Sequence, residues 1–375
     1  MKLTIAIALS AALLGCKKDS KDDSAAAGAG HDQSSDQGPI DITDPETCVR
    51  CHPTIAAEIT ESMHARAHHS RDPIYAGVRA IRMKKEGAEI AKACARCHTP
   101  GFEESPDDPN AVVGVTCVHC HNTVPAAPDG VLLGANDLAA GLTPAHGTGV
   151  AAPQLTDGRS VCLSCHAAMQ SPKGVAMCTT GSEHAELIGD GDATCTSCHM
   201  PRVTGPATVG GTRIDHASHA FRGPHRAWYQ DDPSFLASGV DLSATLDDSG
   251  LHVTLINGSG HALPTGFPGR QLIIGCRGLD ADGAEIWQCP PRVLGKRYVD
   301  ADGKPVLAPF SVKLESDTRV TGERATHDFA APAEVATAEV TLSMRLLPPP
   351  LADKIGLADA PEGQPKQFAT ARAAR

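Results

Sequence analysis

The stretch Cys48-Val-Arg-Cys-His52 returns as a pattern at Cys94-Ala-Arg-Cys-His98, Cys117-Val-His-Cys-His121, Cys162-Leu-Ser-Cys-His166 and Cys195-Thr-Ser-Cys-His199. Two cysteines separated by two residues, with histidine directly after the second, form the attachment signature for c-type haem. The two thiols add across the two vinyl groups of one porphyrin, and the adjacent imidazole lies beneath the ring as the proximal iron ligand. Zinc ribbons, thioredoxin-like pairs and structural disulfides also use paired cysteines, but none requires His after the second Cys each time. With 18 His in 375 residues, chance would place His behind all five pairs on the order of once in several million. The sequence therefore predicts five covalently bound c-type haems. Their attachment residues are Cys48, Cys51, Cys94, Cys97, Cys117, Cys120, Cys162, Cys165, Cys195 and Cys198, and their proximal ligands are His52, His98, His121, His166 and His199.

Composition agrees with this. Aromatic residues make up only 3% of the chain, too few for a conventional core of this length, while cysteine numbers 14. Porphyrins filling part of the interior account for the deficit. The motifs fall between residues 48 and 199, so little polypeptide is left to wrap each haem separately, and the haems are expected to lie close together. Lys+Arg 33 against Asp+Glu 44 gives a net charge of −11, which argues against a nucleic-acid partner.

The N-terminus bears on location. Leu3 to Leu14 form an apolar stretch behind Lys2, too short to span a bilayer and of the length of a signal-peptide core. It ends in Leu13-Leu14-Gly15-Cys16, which resembles the bacterial lipobox, in which the Cys is acylated after cleavage. Residues 1–15 are read as a lipoprotein signal peptide and residues 16–39, polar and without periodicity, as a disordered tether. The expected location is the periplasm or cell surface, with an anchor at Cys16; Lys17 after it fits the outer-membrane sorting pattern.

The sixth coordination positions must come from the remaining histidines. The expected distal ligands are His64, His146, His219, His225 and His261. Pro53 suits a first helical turn, and Ile55, Ile59, Met63 and Ala67 recur four residues apart, so His64 is placed on a helix. His119, inside the third motif, could serve a neighbouring haem or face solvent, and His68 and His184 are in reserve.

The segments Cys48–His52, Ser62-Met-His-Ala65, Cys94–Phe102 and Val113–His121, followed by His146, resemble the tetrahaem cytochrome c family of ammonia oxidisers, over roughly residues 48–166. The resemblance implies that His64 and His146 are distal ligands and that the haem on His98 is five-coordinate. Cys195–Pro201 with His219–His225 resembles the wider group related to hydroxylamine oxidoreductase and pentahaem nitrite reductase. The C-x-x-C-K motif of those nitrite reductases does not occur, and five motifs stand where hydroxylamine oxidoreductases carry eight haems.

After residue 199 the motifs stop and the pattern changes to period two. Leu242, Ala244 and Leu246, a turn at Asp247–Gly250, then Leu251, Val253 and Leu255 read as a hairpin. Ala336 to Leu346 alternates throughout. The expected fold is α + β in two domains: a mostly helical, loop-rich multihaem domain at 40–232, then an antiparallel β-sandwich-like domain at 233–375. The tail after Pro348 is expected to cover the surface. Cys276 and Cys289 flank the turn Asp280–Gly283, where a bulged cross-strand disulfide or two buried thiols would fit. His261 sits between Gly260 and a Pro-Thr-Gly turn, so it is placed on a rigid loop.

These features predict an electron carrier with mostly bis-His haems, exchanging electrons with redox partner proteins of the cell envelope. The alternatives are an oxidoreductase acting on a small nitrogen or sulfur oxyanion at one open haem, and a subunit of a polymeric cytochrome.

Overall fold

The computed structural model describes residues 45–122, 131–132, 134, 147–148, 152–189, 191–211 and 213–375. The signal and tether segments, Cys16 and His146 lie outside the described residues.

Four attachment motifs close a short helix on their histidine: Ile90–His98, Cys117–His121, Ser160–His166 and Cys195–His199. In the first motif, the Cys51 and His52 amides donate to the Cys48 carbonyl at 3.2 and 2.9 Å, the same turn geometry. The helical period explains the spacing. Positions i, i+3 and i+4 share one face, so both thiols and the imidazole of each motif point the same way. Thr116 and Thr194 start two of these turns with reciprocal caps, using His119 Nδ1 and Ser197 Oγ. His119 is therefore a helix cap within its own motif.

The longest helix among the described residues, Pro73–Glu86, begins where Asp72 accepts from the Ile74 and Tyr75 amides at 2.9 and 3.0 Å, and ends at Gly87 with φ 93°. The helix Pro53–Thr60 stops short of His64, contrary to the sequence reading. Ser62 Oγ bonds back to the Ile59 carbonyl, and residues 61–67 continue as turns. Such side-chain bonding competes with the helical ladder and frees His64 from the helix axis.

Four short strands come first: β1 (Val131–Leu132) beside β2 (Gly147–Thr148), and a hairpin of β3 (Arg202–Thr204) and β4 (Asp215–Ala217). Then follow β5 (Val240–Asp247), β6 (Gly250–Asn257), β7 (Gln271–Leu279), β8 (Glu285–Gln288), β9 (Arg292–Leu294), β10 (Lys296–Val299), β11 (Lys313–Asp317), β12 (Arg324–Phe329), β13 (Thr337–Arg345) and β14 (Lys366–Ala374). β10 pairs with β11, and of the two larger antiparallel sheets one has the order β12-β6-β5 and the other β14-β13-β7, with β8 and β9 both on β7. The expected hairpin forms in register, Leu246 opposite Leu251 and Asp247 opposite Gly250. Cys276 and Cys289 are disulfide-bonded across β7 and the end of β8, beside a bulge at Gly278/Leu279.

Inward residues of both sheets, among them Leu251, Val253, Leu255, Ile274, Val340 and Leu342, form one core. Ile74 of the long helix and Ala227 and Trp228 belong to the same core, and Trp228 Nε1 donates to the Gln364 carbonyl at 3.0 Å. This core thus draws described residues from both sides of positions 232–233. The tail after Pro348 is more than a surface cover. Leu351 and Ala352 are buried, and β14 extends the sheet along β13 from Lys366 opposite Met344 to Ala374 opposite Thr337. Its alternating small residues hid that strand. Leu342→Ala removes a fully buried side chain from β13. It is expected to cost about 3 kcal/mol in chemical denaturation of the haem-loaded protein.

Candidate haem-binding sites

Three pairs of histidine rings stand opposite one another at nearly the same separation. His64 faces His166 with centroids 6.2 Å apart, His219 faces His121 at 6.3 Å, and His261 faces His199 at 6.4 Å. A metal–imidazole bond of about 2.0 Å, with about 1.1 Å from nitrogen to ring centre, puts two axial imidazoles roughly 6.3 Å apart across one iron. In each pair one ring is a motif histidine and the other an expected distal ligand. The residues fit the group.

Hydrogen bonds orient several of these rings. His52 Nδ1 donates to the Ala207 carbonyl at 2.7 Å, His98 Nδ1 to Ala67 at 3.1 Å, His219 Nδ1 to Ala217 at 2.8 Å and His261 Nδ1 to Ala262 at 3.1 Å; His199 Nδ1 bonds the Arg222 carbonyl. A carbonyl only accepts, so each Nδ1 carries the proton and leaves the Nε2 lone pair for a metal. Burial lowers His64 to about 4, helped by His166 and then His199; burial followed by His121 lowers His219 to about 4. Both rings are neutral at neutral pH, as ligation requires.

His64 is held by its backbone. Its carbonyl accepts from the Val115 amide at 2.9 Å and the Ala67 amide at 3.2 Å. Gly114, with φ +69°, lies so close that a Cβ there would sit 2.4 Å from that carbonyl oxygen. The His261 loop is tied down by Glu183, which is ion-paired to Arg319 at 2.7 Å and accepts from Thr265 Oγ1.

The motifs adjoin in a definite order. The side chain of Cys48 interacts with that of Cys117, Cys97 with Cys165, and Cys162 with Cys195. Cys120 interacts with Cys165 and Cys162. The fourth motif thus neighbours the second, third and fifth, and the third neighbours the first. Among the described residues no three His, Cys, Asp or Glu side chains converge on one point.

His98 has different surroundings. Tyr75 stacks on its ring at 3.7 Å, and among the described residues no histidine stands opposite it at the spacing of the three pairs. His225, expected as a distal ligand, is placed elsewhere: its Nε2 accepts from Arg270 Nη2 at 2.9 Å, and its ring lies parallel to Tyr229 at 6.1 Å. Burial and then Arg270 push His225 down to about 3, and its Nδ1 is buried without a partner. Desolvation also lowers Arg270, whose other bond is to the Thr265 carbonyl at 2.9 Å. Arg270 interacts electrostatically with His166 and Asp72, and Asp72 with His98, so these groups share one region. Arg66 lies over the Tyr229 ring at 4.8 Å. Arg270, Tyr75 and Tyr229 escaped the sequence reading; the one available signal was that Tyr occurs only three times in the chain.

Of the other histidines, His216 has both ring nitrogens engaged, by the Gly205 carbonyl and Glu58, and His68 Nδ1 bonds Ser70 Oγ at 2.7 Å. No helix among the described residues is long and apolar enough to cross a membrane.

Residues 47–122, which hold the first three motifs, match the family described as cytochrome c554 and c-prime. No curated protein matches the chain. Among solved structures, the chain is similar to a penta-heme cytochrome c552 from Thermochromatium tepidum, with a TM-score of 0.71 and 23% identity, covering 88% of this chain and 98% of that one. Five repeats of one attachment motif, opposed histidine pairs and this likeness lead to one statement: the chain has the fold of a multihaem c-type cytochrome.

Proposed function

We propose that this protein is an electron-transfer cytochrome binding five c-type haems, at least three of them bis-His, and that it works in the cell envelope anchored through Cys16. The observation that carries the reading is the common spacing of His64–His166, His219–His121 and His261–His199. When bound, each haem supplies one iron that cycles between Fe(III) and Fe(II). The chain's own part is to hold and orient. A haem held between such opposed imidazoles would be closed to exogenous ligands, and Nδ1 bonds to backbone carbonyls would keep the His199, His219 and His261 rings from turning. The adjoining motifs support a route through sites one, three, four and five in that order, with site two joining at site four.

Site two supports a second reading, reduction or oxidation of a small oxyanion. Among the described residues no histidine opposes His98, while Arg270 and His225 supply a desolvated cation and a neutral imidazole nearby.

Intact mass should exceed the mature polypeptide by five haem masses of about 0.6 kDa each. Fewer, with all signatures intact, would contradict the proposal. EPR should show low-spin signals of two kinds, because the His64–His166 planes are inclined at 58° and the other two pairs at 22° and 19°.

A further inference from the structure

We infer that the β3–β4 hairpin and the first motif form the docking surface for an acidic redox-partner protein, an inference that rests on a haem at Cys48 and Cys51. The two most exposed large apolar side chains among the described residues are Ile214, 79% exposed, and Val209, 66% exposed, both in the hairpin connection. Both lie beside a candidate cofactor site. The Val209 amide donates to the Cys51 carbonyl at 2.8 Å, and the Ala207 carbonyl holds His52 Nδ1. Val49, between the cysteines of the motif, is exposed as well.

The position in the route fits docking. The first and fifth motifs, which hold sites one and five, are the two ends of the row of adjoining motifs. Electrons must cross between molecules at such ends. An apolar patch beside a cofactor edge, with charge at its rim, gives a small interface that forms and parts quickly.

The rim indicates the sign of the partner. Arg50, Arg202 and Arg213 are exposed on these segments, against Glu46 and Asp215, and Asp215 is already paired with Arg202 at 2.7 Å. The surface is thus net basic on a protein whose overall charge is −11. Carboxylates on the partner would be drawn to this face and repelled by most others, which favours one docking orientation.

The test uses the full haem-loaded protein and, as probe, reduced flavodoxin, an acidic one-electron carrier; a basic mitochondrial cytochrome c is the control. Stopped-flow reduction at low ionic strength is expected to slow at least tenfold in a Val209→Asp/Ile214→Asp variant and severalfold in Arg213→Glu. Raising salt should slow the wild type and leave Arg213→Glu little changed. Haem content and midpoint potentials should stay at wild-type values in both variants, since the side chains are exposed. Unchanged rates in both variants would overturn the docking surface. So would a wild-type dimer in sedimentation that Ile214→Asp dissolves, because the occupant would then be a second copy of this chain. If peptide mass shows Cys48 and Cys51 unmodified in the wild type, the five-haem reading itself fails, a result distinct from unchanged rates with the haem in place.

Discussion

Alanine at position 114 is expected to unseat His64 and turn one low-spin haem high-spin, although residue 114 bears no functional group. Gly114 has φ +69°, a conformation that costs an L side chain about 1–2 kcal/mol. The larger effect is steric. A Cβ would lie 2.4 Å from the His64 carbonyl oxygen and 3.3 Å from the Ala67 nitrogen, both backbone atoms that no rotamer change can move. The Val115–His64 hydrogen bond must then break or shift, carrying the imidazole away from His166. We expect a loss of about 3 kcal/mol in stability and a stoichiometric high-spin EPR signal. His64→Ala should give the same signal with a smaller stability loss. A Gly114→Ala protein with an unchanged low-spin spectrum would remove His64 from the ligand set.

The second large effect concerns Arg270. If site two admits an anion, the wild type should show one high-spin haem whose absorption shifts on adding nitrite, used as the probe. Arg270→Leu should weaken that binding roughly a hundredfold, since a desolvated charge-assisted hydrogen bond contributes about 1.5–3 kcal/mol. The change removes a desolvated charge but leaves the buried His225 Nε2 and the Thr265 carbonyl without their donor, so stability should fall by about 1–3 kcal/mol. Loss of nitrite binding by a variant that keeps its five haems and its low-spin signals separates an anion site from a structural arginine. A wild type with no high-spin haem would leave the carrier reading alone.

The two results would also show how differently the parts of these sites were legible. His64 was nameable from its resemblance, but its partner was not: the pairing with His166 joins residues a hundred positions apart, and the helix assumed for it ends before it. His225 looked equivalent to His219 in sequence, in the same short histidine-rich segment. Only packing separates them, His219 opposite His121 and His225 against Arg270.

By itself, the sequence determined the covalent chemistry and the local pattern. Five attachment motifs, the hairpin at Asp247–Gly250 and the alternation of β13 all follow from spacings shorter than a helical turn or from a period of two, so neighbouring residues suffice to specify them. The tertiary structure decided which motif adjoins which, which histidine opposes which, and that Ile74, Ala227 and Trp228 join the core of the two sheets. Those outcomes depend on contacts between distant segments. They are set by how side chains fill a shared interior, a property of the packed chain that no local spacing encodes.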